Sequence, residues 1–493
     1  MKLRPCPPDK GGASSASGGF SFFKNQTPRS PSAHDPLIRG SAKIFLAAAL
    51  MLAVTAKANP SIDWIRAPNA AAELVEEPVF GGRVALYHAG PRGAHAVVLV
   101  HGLGRNAAKD WEYVIPALAE RYSVYALDLP GFGHSDKGNH LYSPDNFARV
   151  LEAVLAKRVA RPFSLIGHSM GGPVALAYIG AYPQRVARLI LVDAAGVLHR
   201  SVYAEFLARV AAQRAMGMDS PWFESVVRAI QLRAENWPVR GELALERAGV
   251  RRRLLRGDPN AISAFAMVEH DFSQIVRAIR APTLIIWGAQ DTIAPLRTGQ
   301  ALAAAIGGAR LTVLEGAGHA PQVQFPSRFN PIVLDELDGR QFAAPPYALR
   351  KGAIDTDRVA SCDGQRGQEF SGDYERLVLQ NCQDASISNA RIGYLRAELS
   401  TVRVVNSHIR DGVDAKNSRL EFTGGIVRGS LVVDATSVDA AGTRFESPHA
   451  LARNSGEVTS VLRFSVSEVS LEGNAPRPLH DIVRLAPGES LIR

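Results

Sequence analysis

Residues 164–177 read SLIGHSMGGPVALA. An apolar run meets Gly167-His168-Ser169-Met170-Gly171-Gly172, and the chain then turns Ala-rich and helix-friendly. A serine between two glycines where a strand becomes a helix sits on a very sharp turn with strained backbone angles. Bulky side chains two positions either side would collide. Glycines at 167 and 171 relieve that crowding, and Gly172 lets the helix pack on the sheet. Such a turn lifts the hydroxyl above the sheet and aims the following helix's N-terminus at it, which makes Ser169 the candidate nucleophile. A Gly-Ser loop that matches the pattern by accident is the alternative, and the strand–turn–helix context weighs against it.

From Val84 to Asp338 short apolar runs alternate with helical patterns. The runs are Ala96–Val100, Ser123–Leu127, Phe163–Ile166, Leu189–Val192, Thr283–Trp287 and Leu311–Leu314, and amphipathic stretches such as Trp111–Tyr122 and Ser143–Val159 lie between them. Continuous apolar strands separated by helices predict a parallel sheet covered on both faces. Ligands of such sheets bind beyond the carboxyl ends of the strands, so the chemistry should follow these runs directly.

A serine hydroxyl needs a base to take its proton, and imidazole serves best near neutral pH. After the run Leu311–Leu314 comes Glu315-Gly316-Ala317-Gly318-His319-Ala320-Pro321, which offers His319. The imidazole needs an acid to fix its tautomer. After Thr283–Trp287 comes Gly288-Ala289-Gln290-Asp291, which offers Asp291; Asp193, after Leu189–Val192, competes for the role. The chain order Ser169, Asp291, His319 favours Asp291. The oxyanion hole is expected from the amide of Leu103, in the turn His101-Gly102-Leu103-Gly104, and that of Met170. His101 and His134 read as loop braces, and His168 as pointing away from the site. No metal or cofactor is expected.

His101–Gly104, DLPGFGHSD at 128–136, GHSMGG at 167–172, WGAQD at 287–291 and GAGHAPQ at 316–322 together resemble the α/β-hydrolase superfamily over roughly residues 60–340. The resemblance implies Ser169 as nucleophile, His319 as base, Asp291 as acid, and the Leu103 and Met170 amides as oxyanion donors. Members with a nucleophilic Asp are disfavoured because position 169 is Ser. Gln322 departs from the acid that many such relatives carry three residues after the His, without catalytic consequence.

Residues 197–280 are helical in pattern and hold Tyr203, Phe206, Trp222, Phe223, Trp237, Phe265 and Phe272. Inserted between strands, they should form a lid over Ser169, the aromatics filling the lid's own small core. Arg251-Arg252-Arg253 and Arg256 read as a solvated face. Residues 341–375 carry Pro-Pro, Gly and charges without a period and read as a linker. From 376 to 493 helical spacing disappears and an all-β domain is expected. NSRLEFTGG at 417–425 echoes TSVDAAGTR at 436–444 at an offset of 19, and ASISN, ARIGY and LRAEL (385–399) show a five-residue beat. Both point to a short β-solenoid of three or four turns, with 446–493 as cap; a small β-sandwich is the alternative.

The net charge of +9 could suggest a nucleic-acid partner, but residues 1–58 hold eight Lys/Arg against two acids, which leaves only +3 elsewhere. No nucleic-acid partner is expected. Residues 1–36 are rich in Ser, Gly and Pro and read as disordered. Arg39 and Lys43 then precede the apolar run Ile44–Val54 and the A-x-A site Ala56-Lys57-Ala58, the pattern of a secretory signal cleaved after Ala58. The 11-residue run is shorter than the ~20 residues of a membrane span. An uncleaved anchor or a buried helix are the alternatives. Export to the periplasm or beyond would leave Cys362 and Cys382 as a lone pair. In stacked coils, residues one coil apart lie ~4.8 Å from each other. That separation would allow a disulfide; two buried thiols are the other reading.

The expected function is an exported serine hydrolase cleaving a carboxylic ester or related acyl bond of a small molecule through an acyl-enzyme. A carbon–carbon bond hydrolase or acyltransferase on the same triad is one alternative, and a non-catalytic envelope binding protein is another. The β domain would serve envelope or carbohydrate contact.

Overall fold

A computed structural model describes residues 59–216, 241–340, 354 and 356–492. Its first half is built on an eight-stranded sheet in the order β1-β2-β4-β3-β5-β6-β7-β8. Strands β3 (Ala96–Val100), β4 (Ser123–Asp128), β5 (Phe163–His168), β6 (Val186–Val192), β7 (Thr283–Gly288) and β8 (Arg310–Leu314) are parallel and coincide with the six apolar runs. Two further strands, β1 (Ala71–Glu77) and β2 (Gly82–Ala89), add an antiparallel hairpin that the run pattern did not include. β3, β5 and β7 are buried along their whole length, as strands covered on both faces must be.

The covering helices are α1 (Ile115–Ala119), α2 (Pro144–Leu155) and α3 (Gly171–Ala181) before β6. Ser143 starts α2 by accepting the Asn146 amide at 3.3 Å. Between β6 and β7 come α4 (Arg200–Met216), α5 (Gly241–Glu246), α6 (Ala248–Leu255), α7 (Pro259–Glu269) and α8 (Ser273–Ala278). Helices α9 (Leu296–Ala305), α10 (Pro321–Gln324) and α11 (Pro326–Leu337) complete this half. Phe272 packs in the main core with Trp287 rather than in a separate lid core. Trp222, Phe223 and Trp237 lie outside the described residues. Arg251 is not part of a solvated face. It is buried, and it donates to the carbonyls of Leu245, Glu246 and Asn139, tying the end of α5 to the loop before α2. Arg252, Arg253 and Arg256 are exposed.

The second half is all β. One parallel ladder runs through β9 (Val359–Asp363), β10 (Glu369–Gln380), β11 (Ala385–Glu398), β14 (Val413–Lys416), β17 (Leu431–Asp434) and β20 (Ala452–Asn454). A second joins other parts of β10 and β11 to β12 (Thr401–Val405), β15 (Arg419–Thr423), β18 (Ser437–Ala441) and β21 (Ser460–Leu471). The third passes through β13 (His408–Ile409), β16 (Ile426–Arg428) and β19 (Arg444–Ser447) back to β21. Strands β22 (Arg477–Leu485) and β23 (Ser490–Leu491) close the end antiparallel to β21 and β20.

The coil is 18 residues: Arg419 faces Ser437 and Ile426 faces Arg444. The offset of 19 is therefore one residue too long, and six rungs on the first ladder exceed three or four turns. The 341–375 linker also shrinks, since β9 and the start of β10 lie inside it. The five-residue beat falls on β11, one strand that bends across all three ladders.

Corners make the period. Asn381, Leu399, Asn417 and Ala435, each 18 residues apart, all turn with φ between 47° and 50°. The residue after each points inward as a column. The Cys382 amide donates to Ser400 Oγ at 3.0 Å, Ser400 to Ser418 at 3.1 Å, and Thr436 to Ser460 at 3.1 Å. Cys382 stands in this hydroxyl column and is bonded to Cys362 of β9, with Cα atoms 6.2 Å apart.

Candidate active site

Every candidate residue follows a parallel strand of the first half. Ser169 comes directly after β5 with φ 52°, the strained elbow its neighbours were expected to permit. A Cβ at Gly167 would lie 2.2 Å from the Gly171 carbonyl oxygen, and one at Gly172 would lie 2.3 Å from the Ala194 Cβ. Only glycine fits either place. The elbow's amide donates to the Val192 carbonyl, which fastens it to the end of β6.

His319 lies in the loop after β8. Its Nδ1 donates to Asp291 Oδ2 at 2.8 Å, and Ser169 Oγ donates to its Nε2 at 2.8 Å. The other carboxylate oxygen of Asp291 accepts the amides of Ile293 at 2.7 Å and Ala294 at 3.0 Å. These bonds hold the carboxylate in one orientation and leave Oδ2 for the imidazole. Ser169, His319 and Asp291 thus form one hydrogen-bonded chain.

Asp193 is placed differently. Its Oδ1 accepts the Gly288 amide at 2.9 Å, and the side chain has no exposed surface. Burial and the neighbouring Asp291 carboxylate push its carboxyl up to about 9. It therefore carries its proton at neutral pH and offers His319 no charge.

Gly102 lies against the elbow. A Cβ on Gly102 would stand 2.9 Å from the Ser169 Cβ and 3.1 Å from His168 Nδ1. Neither the Leu103 nor the Met170 amide has a hydrogen-bond partner among the described residues. His101 is fully buried; its Nδ1 donates to the Gly102 carbonyl at 2.7 Å and its Nε2 accepts the Leu129 amide at 3.0 Å, so it braces the turn. The backbone amide of His134 donates to Asp128, and its ring sits beside that carboxylate, also a loop role.

His168 does not point away. Its Nε2 donates to the backbone carbonyl of His319 at 2.7 Å, and the two rings lie 5.2 Å apart. Burial, with His319 beside it, pulls its imidazole down to about 3, so it stays neutral. Inside a strand-end motif nothing in the sequence marks the direction of such a ring.

The helical insert reaches the site at two points. Asn260, at the start of α7, accepts the Gly104 amide at 2.9 Å. Burial and the Asp291 carboxylate push the phenol of Tyr203 on α4 up to about 12. Gln322 on α10 is fully buried, so an acid there would have no contact with water.

Known proteins are similar to this chain in sequence. A family model described as the alpha/beta hydrolase fold matches residues 95–326. An uncharacterized protein of Mycobacterium tuberculosis is 30% identical over 295 residues, 54% of this chain and 84% of the relative. A 2-hydroxy-6-oxononadienedioate/2-hydroxy-6-oxononatrienedioate hydrolase of Cupriavidus pinatubonensis is 30% identical over 254 residues, 50% of this chain and 87% of that one. A pimeloyl-(acyl-carrier protein) methyl ester esterase of Neisseria meningitidis is 29% identical over 276 residues, 53% and 84% of the two chains. Among solved structures, a thermophilic esterase from Thermogutta terrifontis is 25% identical, covers 55% of this chain and 100% of its own, and has a TM-score of 0.41. The chain belongs to the α/β-hydrolase family.

Proposed function

We propose that the protein is a serine hydrolase that cleaves a carboxylic ester or related acyl bond of a small molecule. The observation that carries this reading is the unbroken chain from Ser169 Oγ through His319 to Asp291, beside two unpartnered amides. Ser169 Oγ attacks the acyl carbonyl while His319 Nε2 takes its proton, and Asp291 stabilises the imidazolium that forms. The oxyanion is held by the Leu103 and Met170 amides. His319 then gives the proton to the leaving alcohol, and the acyl group stays on Ser169. Water, deprotonated by His319, releases the acid and restores the hydroxyl.

A fluorophosphonate probe should label Ser169 and a panel of short- to long-chain esters should be hydrolysed, with both lost in Ser169→Ala. Labelling that survives the substitution overturns the reading. Carbon–carbon bond hydrolysis on the same three residues is the second reading, supported by the 30% identity to the Cupriavidus enzyme. A 2-hydroxy-6-oxodienoate offered beside the esters separates the two by which is turned over faster.

We also propose that the protein is exported, on the basic, apolar and A-x-A sequence of residues 39–58 and the bonded pair Cys362–Cys382. Mass spectrometry of protein recovered outside the cytoplasm should find a terminus at Asn59. An intact leader in the cytosol overturns this.

A further inference from the structure

The β domain does not hang free of the hydrolase half. Its second column of left-handed corners is Asn389, Asn406, Gly424, Gly442 and Val466, all with positive φ. The last two of these press into the hydrolase. A Cβ on Gly442 would lie 2.5 Å from the Ala301 carbonyl oxygen of α9, so the corner sits on that helix's backbone. Val466 turns with φ 40°, a conformation that costs a β-branched residue strain, yet its side chain is fully buried in the same apolar core as β3, β5 and Trp287. Ala441 joins that core too. Arg277 of α8 donates to the Val466 carbonyl at 2.8 Å and pairs with Glu468 at 2.7 Å.

Arg297, in the first turn of α9, is the polar centre of this contact. Its Nη1 donates to Asp439 Oδ2 at 2.7 Å. Its Nη2 donates to Asp439 Oδ1 and the Asp439 carbonyl, both at 3.1 Å, and to the Phe422 carbonyl at 2.9 Å. Its Nε donates to Thr423 Oγ1 at 2.9 Å. Glu421 lies 3.7 Å away. All these partners belong to β15 and β18. A two-pronged guanidinium–carboxylate pair with backbone acceptors around it fixes position as well as charge.

Five residues separate Arg297 from Asp291, and the segment is fastened along its length. Asp291 accepts the Ile293 and Ala294 amides, the Ala294 carbonyl accepts Trp287 Nε1 at 3.1 Å, and the Thr298 amide donates to the Pro295 carbonyl at 2.7 Å. A Cβ on Gly299 would lie 2.7 Å from the Trp287 ring, so the start of α9 is wedged against β7. On α4, Glu205 pairs with Arg419 of β15.

The geometry points to Arg297 as a positioning residue through which the β domain holds the segment carrying Asp291, so that the solenoid is part of the hydrolase's working site. The inference rests on Asp291 being the acid of the triad. Displacing that segment by about 1 Å would misalign His319 and lower kcat by about 10–100-fold without changing how substrate is bound.

The test uses the full-length protein with Arg297→Met, Arg297→Lys and Asp439→Asn. For each, kcat and KM on 4-nitrophenyl butyrate, amide hydrogen exchange at Ile293 and Ala294, and the melting temperature are measured. In Arg297→Met, exchange at the two amides should rise at least about tenfold, matching the loss in kcat, while KM stays within about twofold. Arg297→Lys should recover part of kcat, and Asp439→Asn should give the same signature more weakly where Arg297→Met does not fold. Unchanged exchange at Ile293 and Ala294, with kcat within about twofold and a lower melting temperature, overturns the proposal and leaves a purely structural contact. Asp291→Asn run alongside keeps the two assignments apart. Full activity there removes Asp291 as the acid, whereas the exchange readout still decides whether the β domain holds this segment.

Discussion

Replacing Asp291 by Asn changes one atom and should nearly abolish turnover, for a reason visible in the hydrogen bonds. Oδ1 of Asp291 accepts two backbone amides, from Ile293 and Ala294, and only an oxygen can do so. The asparagine must keep its oxygen there, so its NH2 group faces His319 Nδ1. That nitrogen now donates to Asp291 and would have to become an acceptor. The imidazole is then protonated on Nε2, the atom that must take the Ser169 proton. Loss of the correct tautomer in a triad of this type lowers kcat on the order of 10⁴-fold, about 5.5 kcal/mol of barrier. KM should move by less than about threefold, since Asp291 is buried behind the imidazole. Steady-state hydrolysis of 4-nitrophenyl butyrate, with active sites counted by a fluorophosphonate, gives the number. A variant with kcat within tenfold of wild type would refute the tautomer argument.

Asp193→Asn should leave kcat within a few-fold, because Asp193 faces Gly288 rather than His319. Its carboxyl is raised from an unfolded value of ~3.9 to about 9, so the folded state binds the extra proton and wild-type stability falls as pH rises through that window. The gain in melting temperature of Asp193→Asn over wild type should therefore grow between pH 5 and 9, and a gap that does not change with pH counts against it. Gly102→Ala puts a methyl 2.9 Å from the Ser169 Cβ, and should lower kcat about 10–100-fold with little change in melting temperature; wild-type turnover would show that the turn yields freely. Cys382→Ser keeps a hydroxyl in the corner column but removes the 20-residue crosslink, which should cost about 3 kcal/mol in denaturant titration of the oxidised protein. An unchanged midpoint would mean that the unfolded chain gains nothing from the missing bond.

The hydrolase half was legible because its strands are buried on both faces and read as unbroken apolar runs, each followed by one reactive residue. The β1–β2 hairpin escaped that reading because β1 is only half buried and its apolar residues are interrupted by Glu73, Glu76 and Glu77. The solenoid was visible only as an echo, and the register slipped by one. Asn417 and Ala435 occupy the same left-handed corner, yet an Ala there does not look like an Asn, so the alignment began one residue late. Read as NSRLEFTGG against ATSVDAAGT, the repeat is 18 and the inward Ser/Thr column falls into line. His168 and Arg297 could not have been placed from the sequence. What they do depends on partners 151 and 142 residues away along the chain, His319 and Asp439.

Val466 gives the docked corner a consequence in time. Its side chain completes the same apolar core as β3 and β5, although it is encoded 301 residues after Leu165. A chain made from its N-terminus therefore forms Ser169, Asp291 and His319 long before the last side chain of their shared core exists. Without residue 466 that core lacks one of its fully buried side chains. The core of the hydrolase half is complete only once the β domain behind it has been made.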